Sequence, residues 1–397
     1  MTANIKEKKI KILYLLHSTF FEGGAGKSIY EIIKELSIKK EYDLEIILLD
    51  SANEDIEKKF KDLGLKITII KKRCFLQLGK FQIGWLQGFS FIMTLAIITK
   101  DTLLSFKELK NVNNKIYKIN PHIIHLNSST LIPLAFFLPK KIKKIIHVRE
   151  SLITKSYMRK KLIKFFISLI DGVICISDSE YEQFKPLVKS KIRVIGNPIV
   201  SSDLSTSRSN VGSNSYIKIG CLAGHDEKKG GIFFIKSLNY LNFDFEVNYA
   251  GPEKNESNYS KNLQREINYL KNKKKIRINN FGLIENINEF ILNNDLIVVP
   301  HLRPHFSRVI IESFCNFRPV VTFLDNWTKN INNKSNSSLI LVKDKNEKAL
   351  AKKISTLNEG KILIKDKIID GKKYWENNHR IDIVTEKIIN FYKKIQN

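Results

Sequence analysis

Residues 295–321, D-L-I-V-V-P-H-L-R-P-H-F-S-R-V-I-I-E-S-F-C-N-F-R-P-V-V, decide the fold. An apolar run, Leu296 to Val299, stops at Pro300; a polar stretch follows, and a helical pattern then begins near Ser307 and carries Glu312 before a second apolar run. That order reads as strand, loop, helix N-terminus, strand. A helix N-terminus placed after a parallel strand presents unpaired N–H groups and the positive end of the helix dipole, which makes it an anion site. Arg303 and Arg308 reinforce it. Glu312 lies one turn beyond Arg308, where a carboxylate suits a hydroxyl-rich group such as a ribose better than it suits phosphate. The implied ligand carries both phosphate and sugar.

Outward from this segment the chain alternates short apolar runs with amphipathic ones. Strands are expected at 10–16, 44–49, 67–70, 123–126, 144–148, 172–176 and 192–195, with helices at 27–38 and near 54–63. This is the rhythm of βαβ units and a parallel sheet. Residues 201–215, rich in Ser and Asn without apolar periodicity, read as a linker. The alternation restarts with strands at 217–222, 245–250, 276–281 and 296–299 and helices at 231–241, up to 271 and near 287–292. The expected fold is α/β, with two Rossmann-like doubly wound domains and a cleft between the carboxyl ends of their sheets. The boundaries are 1–200 for the first domain, 201–215 for the linker, 216–375 for the second domain and 376–397 for a final helix packing back on the first. Val384, Ile388, Phe391, Tyr392 and Ile395 give that helix one buried face.

At 397 residues the chain is long enough for two such cores, and 43% hydrophobic content excludes a disordered protein. A net charge of +27 favours anionic partners, whether phosphorylated substrates, anionic lipid or nucleic acid. Basic residues do not gather on one helix with interleaved aromatics, which counts against nucleic acid. Cys74, Cys175, Cys221 and Cys315 lie far apart with no C-x-x-C spacing, so a reducing cytosol fits. The run at 10–16 is too short for a signal peptide. Residues 85–99 fall short of the ~20 apolar residues of a membrane span and read as a core or membrane-facing helix.

Several further motifs point toward the carboxyl ends of strands. The turn F-E-G-G-A-G-K-S at 21–28 has Phe21 where a P-loop needs glycine, so it is not one; Gly23 and Gly24 instead allow backbone amides to approach a bound group. The stretch I-G-C-L-A-G-H-D-E-K-K-G-G, at 219–231, runs on from the first strand of the second half and carries Lys229 and Gly230. His147 ends a strand in I-I-H-V-R-E, where a neutral imidazole can hydrogen-bond a sugar hydroxyl, with Arg149 and Glu150 just beyond. N-N-F-G-L at 279–283 places Gly282 and Leu283 at another strand end. No H-E-x-x-H, G-x-S-x-G or zinc spacing occurs. Asp244 and Glu246, the nearest approach to D-x-D, are expected on the surface away from the cleft.

Residues 304–312 resemble the E-x-F-G-x-x-x-x-E signature of retaining nucleotide-sugar glycosyltransferases of the GT-B fold, the group 1 or family 4 type. Glu312 matches the second glutamate, and Phe306 and Arg308 fit. Pro304 stands in the place of the first glutamate, Ser307 in that of the glycine, and Cys221 about where the family has an arginine. The resemblance implies that Glu312 holds the donor ribose and that the Ser307, Arg308 and Val309 amides, Lys229 and an arginine hold the diphosphate. It further implies that Gly282 and Leu283 pack on the base, that Gly23 and Gly24 face the diphosphate and acceptor, and that His147 touches the donor sugar; Arg149 and Glu150, just beyond His147, are candidates for acceptor binding. His147, Lys229 and Glu312 are the expected catalytic residues. The expected activity is metal-independent, retaining transfer from a UDP- or GDP-linked sugar, with no cofactor, to a glycan or lipid-linked acceptor in polysaccharide assembly. The expected place is the cytoplasm, with an anionic inner membrane surface as partner and no nucleic acid. Rival readings are a nucleotide-sugar epimerase or phosphorylase on the same fold, a basic nucleic-acid-binding protein, and a degenerate transferase that binds without catalysing.

Overall fold

A computed structural model describes residues 9–16, 24–49, 54–70, 91–150, 152, 157–201, 216–253, 257–274, 276–303, 306–360 and 364–397. The chain divides into two units: Met1–Pro198 with Ile381–Asn397, and Ile199–Arg380.

In the first unit the strands are β1 (Ile10–Leu16), β2 (Tyr42–Leu48), β3 (Lys66–Ile69), β4 (Ile123–Leu126), β5 (Lys143–Val148), β6 (Gly172–Cys175) and β7 (Lys191–Val194). They pair in parallel in the order β3-β2-β1-β4-β5-β6-β7. Strand order therefore reverses between β1 and β4, which opens a crevice at their carboxyl ends. Alternate residues of β1 enter two cores: Leu13 and Leu15 face one, Ile12, Tyr14 and Leu16 the other. A strand buried on both faces reads as a continuous apolar run, which is why these strands were legible.

The second core of this unit is closed by the Ile381–Gln396 helix through Val384, Ile388, Phe391, Tyr392 and Ile395. Gly172 is small because this helix lies on it: a Cβ there would meet Ile395 Cδ1 at 2.7 Å and Phe391 Cε1 at 2.8 Å. Burying these side chains contributes about 1.5–3 kcal/mol each before entropy is counted.

The second unit holds β8 (Ile217–Cys221), β9 (Phe245–Tyr249), β10 (Arg277–Asn280), β11 (Leu296–Val299), β12 (Val320–Phe323) and β13 (Ile340–Val342), in the order β10-β9-β8-β11-β12-β13. All are parallel, and here the order reverses between β8 and β11. Both units are thus Rossmann-like doubly wound domains.

Two cations fix helix ends around residues 295–321. Lys372 Nζ donates to the Cys315 carbonyl at 2.9 Å, closing the C-terminus of the Arg308–Cys315 helix where the dipole favours positive charge. Arg318 donates through Nε to Asn294 O (2.6 Å) and through Nη2 to Leu292 O (2.7 Å), satisfying carbonyls after the Ile287–Leu292 helix. Both are positioning groups that hold the strand–helix–strand segment in place.

The structure corrects some expectations. Glu246 is buried, not on the surface, and accepts from Asn279 Nδ2 at 2.7 Å. The helix expected over 85–99 is described from Phe91 and runs to Ile119, with Ile92 and Leu103 exposed; residues 85–90 lie outside the described residues. Residues 376–380, read as the start of the returning helix, group with the second unit. Gly23, Cys74, Pro304 and residues 202–215 of the linker lie outside the described residues.

Candidate active site

At the carboxyl edge of the second sheet, four loops are tied together by main-chain hydrogen bonds. Gly251 N donates to Gly282 O (2.7 Å), Gly224 N to Ala250 O (3.0 Å), His225 N to Pro252 O (2.9 Å) and Leu302 N to Lys228 O (2.9 Å). The loops after β8, β9, β10 and β11 therefore form one rim at the reversal of strand order, where doubly wound sheets bind ligands. Lys229, Gly230, Gly282, Leu283, Arg303, Ser307, Arg308, Val309 and Glu312 all lie on this rim or on the helix that starts from it.

Gly230 explains how the lysine loop is held. Its φ is +73°, and a Cβ there would sit 2.1 Å from the Pro300 carbonyl oxygen. Only glycine lets the loop after β8 press on the loop after β11. Gly231 is confined in the same way by the Tyr249 hydroxyl, which donates to Gly224 O at 2.6 Å. The glycines of the K-G-G stretch thus work in packing, and Lys229, half-buried beside them, supplies the charge.

Ser307 is the N-cap of the Arg308–Cys315 helix, with extended backbone and no side-chain cap hydrogen bond. Its Oγ is buried and has no partner among the described residues. Glu312 is also buried, at 4% exposure, which removes the reading of it as a solvated helix carboxylate. Arg308 Nε lies 3.2 Å from Glu312 Oε1, whereas Glu312 Oε2 has no partner among the described residues. Buried polar atoms are almost always paired, so two such atoms on one short helix and its cap make this segment a candidate ligand site. A serine oxygen and a carboxylate oxygen on a helix whose N-terminus favours anions can take a sugar hydroxyl and a phosphate together.

Phe281 and Leu283, flanking Gly282, are each 53% exposed at the rim. They offer apolar surface for a planar group. Arg303 is exposed on the β11 loop. Cys221 is wholly buried, and burial pushes its thiol up, so it supplies no charge in place of an arginine.

The other predicted residues lie in the first unit, at the carboxyl ends of β4 and β5. His147 is fully buried, and its Nε2 has no partner among the described residues. Arg149 Nη2 stands 3.5 Å from His147 Nδ1, and Arg149 also donates through Nε to Asn127 Oδ1 (2.7 Å) and through Nη1 to Asn197 Oδ1 (2.5 Å). Burial first, then Arg149 and His125, hold the His147 imidazole well below its ordinary range, so the ring is neutral. A guanidinium only donates, so Nδ1 accepts and the ring proton sits on Nε2. His147 is therefore a neutral hydrogen-bond donor from Nε2. Glu150 accepts from Ser128 Oγ (2.7 Å), Ser129 N (3.1 Å) and Ser129 Oγ (2.5 Å). Arg149 and Glu150 thus brace the loops after β4 and β5 from within. Gly24 begins the Gly24–Ser37 helix after β1, where Ser28 Oγ donates to its carbonyl at 2.7 Å.

Sequence reading missed Asn127, Ser128 and Ser129, which follow β4 at the strand-order reversal. An available signal was polar N-S-S-T directly after the apolar run at 123–126, the same break that marks β11. It also missed His125, whose Nδ1 lies 2.6 Å from Tyr392 Oη, itself 3.0 Å from Tyr14 Oη. A histidine and a tyrosine inside apolar runs carry no sequence sign of meeting.

Two family descriptions match the chain in succession: Glycosyltransferase Family 4 over residues 22–202 and Glycosyl transferases group 1 over 216–359. The chain belongs to the GT-B glycosyltransferases. Among solved structures, Anabaena HepE in complex with UDP is similar at 16% identity, TM-score 0.75, over 97% of this chain and 100% of that one. A glycosyltransferase from Rickettsia africae is similar at 17% identity, TM-score 0.74, over 98% of each chain. Sucrose-phosphate synthase from Thermosynechococcus elongatus is similar at 13% identity, TM-score 0.70, over 98% and 99%. At these identities the solved structures establish the fold, and the family matches establish a glycosyltransferase. No curated protein sequence matches the chain. No helix among the described residues is long and apolar enough to cross a membrane.

Proposed function

We propose that this glycosyltransferase moves a hexose, with retention and without a metal ion, from a UDP- or GDP-linked donor to a glycan or lipid-linked acceptor in surface polysaccharide assembly. The observation that carries the reading is that Ser307 Oγ, at the N-cap of the Arg308–Cys315 helix, and Glu312 Oε2, one turn beyond Arg308, are both buried without a partner among the described residues. The carboxylate takes the ribose hydroxyls, and the amides of Ser307, Arg308 and Val309 take the diphosphate. Lys229 and Arg303 add positive charge where the leaving group becomes more negative, which is electrostatic catalysis by fixed groups. In the first unit, His147 donates from Nε2 to a sugar oxygen, and Arg149 and Glu150 shape the acceptor side. UDP in the HepE structure and UDP-glucose in another HepE structure support a nucleotide-sugar donor.

Retention follows from attack on the face the leaving group departs from. The acceptor oxygen bonds to the anomeric carbon as the bond from that carbon to the phosphate oxygen breaks. The acceptor proton passes to the leaving phosphate oxygen. No side-chain base is then required. The enzyme acts in the cytoplasm, as a peripheral protein at the inner face of the membrane.

The test is thermal stabilisation by a panel of nucleotides and nucleotide sugars, with and without EDTA. A shift with one sugar nucleotide that survives EDTA is the expected result. Absence of any shift across the panel sinks the donor assignment; a shift abolished by EDTA sinks metal independence.

A further inference from the structure

The Tyr157–Ile167 helix of the first unit, Y-M-R-K-K-L-I-K-F-F-I, contains no acidic residue. Tyr157, Lys160, Lys161, Lys164 and Phe165 are all exposed, and their spacing of three and four places them on one face. The opposite face, including Phe166 and Ile167, is buried in the core. Phe136, at the end of the 3-10 turn Ser129–Phe136, extends the exposed face: its ring centroid lies 6.1 Å from that of Phe165. Tyr157 is 67% exposed, Phe136 52% and Phe165 50%, so three aromatic rings stand in water among three lysines. Lys161 Nζ already lies 4.8 Å above the Tyr157 ring.

A cluster of this size is costly to leave in water, and it has the composition of a surface that meets lipid head groups. Aromatic rings sit at the level of the glycerol backbone, lysine stems lie along them, and the ammonium groups reach anionic phosphates. The nearest acids on either side of the helix in sequence are engaged elsewhere: Glu150 by Ser128 and Ser129, Asp171 by Lys143 at 3.2 Å and the Lys144 amide at 2.8 Å. We infer that the Tyr157–Ile167 helix together with Phe136 is the surface by which this enzyme docks on an anionic lipid bilayer. The inference rests on the reading of a lipid-linked acceptor. It moves the contact away from residues 85–99, which the sequence suggested. The helix follows β5, so docking here brings lipid head groups to the loop that carries Arg149 and Glu150.

The experiment is co-sedimentation of the full chain with vesicles of phosphatidylcholine alone and of phosphatidylcholine mixed with phosphatidylglycerol, at low and high salt. Three proteins are compared: wild type, Phe136→Ser with Phe165→Ser, and Lys160→Gln with Lys161→Gln and Lys164→Gln. Each is also assayed for its thermal shift with UDP and UDP-glucose. The altered side chains are exposed, so folding is retained, and the melting curves verify it. The wild type should bind the mixed vesicles and not the neutral ones. The lysine variant should bind roughly a hundredfold more weakly, and the phenylalanine variant roughly tenfold or more. Mixed-vesicle binding that is unchanged in both variants, or absent in the wild type, overturns the inference. So does a wild type that self-associates without vesicles and becomes monomeric in the phenylalanine variant, since the face would then be a subunit interface. Nucleotide shifts separate the two readings: vesicle loss with intact shifts isolates the docking surface, and vesicle binding without any shift leaves docking standing while the donor reading falls.

Discussion

Arg308 Nε and Glu312 Oε1 lie 3.2 Å apart, one turn from each other on a helix whose N-terminus opens at the carboxyl edge of the second sheet. The pair is largely removed from water, at 16% and 6% side-chain exposure. The guanidinium holds one carboxylate oxygen in place, and Glu312 Oε2 has no partner among the described residues. Removing either partner leaves a buried charge uncompensated.

Glu312→Gln keeps the shape and one acceptor oxygen, whereas Glu312→Ala removes both. UDP affinity, measured by calorimetry, should fall roughly tenfold or more for alanine, about 1.4 kcal/mol per tenfold, and less for glutamine. Equal affinity in wild type and alanine variant removes the ribose assignment.

Lys229 is expected to act on phosphate and not on base or ribose. Lys229→Ala should therefore weaken UDP binding severalfold more than UMP binding, and the difference should shrink at high salt. A variant that loses UMP and UDP equally places the lysine elsewhere.

The parallel strands were legible because strands buried on both faces are apolar throughout, as at Leu296–Val299 and Gly172–Cys175. The helix N-terminus at Ser307 was legible because an apolar run, a polar break and a helical period follow each other directly. The brace around His147 was not: Arg149 meets Asn127 and Asn197, which are 22 and 48 residues away in sequence. Tyr392 reaches His125 across 267 residues. Such pairs are fixed by sheet order and by the returning helix, not by local pattern. Glu246 was misread because a charged residue opening a strand resembles surface until its neighbour strand supplies Asn279.

Gly230→Ala should be among the most damaging single changes on the rim. The new Cβ would need a left-handed backbone and would sit 2.1 Å from Pro300 O, so the loop must move. The expected loss is about 1–3 kcal/mol of stability, read as a lowered midpoint in denaturant with unchanged slope, accompanied by loss of UDP binding. A midpoint like that of the wild type would show that the loops do not press together.

Arg149 should set the His147 tautomer. With ¹⁵N-labelled histidine, the His147 resonances should report a neutral ring protonated at Nε2 through neutral pH. Arg149→Met removes both the donor to Nδ1 and a source of positive charge, so the tautomer should mix and the ring should protonate at higher pH. A wild-type ring protonated at Nδ1 would contradict the arrangement in which Arg149 donates to it.

His125 and His147 make stability depend on pH in one direction. Burial, with Arg149 second, pushes His125 down to about 3, and His147 is likewise lowered well below its usual value of 6.5. In the unfolded chain each binds a proton near pH 6.5, and in the folded protein each stays neutral until far more acid conditions. The unfolded state therefore holds more protons below pH 6.5, and stability falls as pH drops through that window toward about 3. The slope is at most about 1.4 kcal/mol per pH unit for each histidine. Urea unfolding at pH 7.5, 6.5 and 5.5 should show a small histidine-linked loss across the first interval, about 0.3–0.4 kcal/mol for each histidine, and one of about 1 kcal/mol each across the second. Tyr392→Phe removes the hydroxyl beside His125 Nδ1 and should cost about 1–3 kcal/mol at pH 7.5 without abolishing that slope, because the chief cause of the shift is burial.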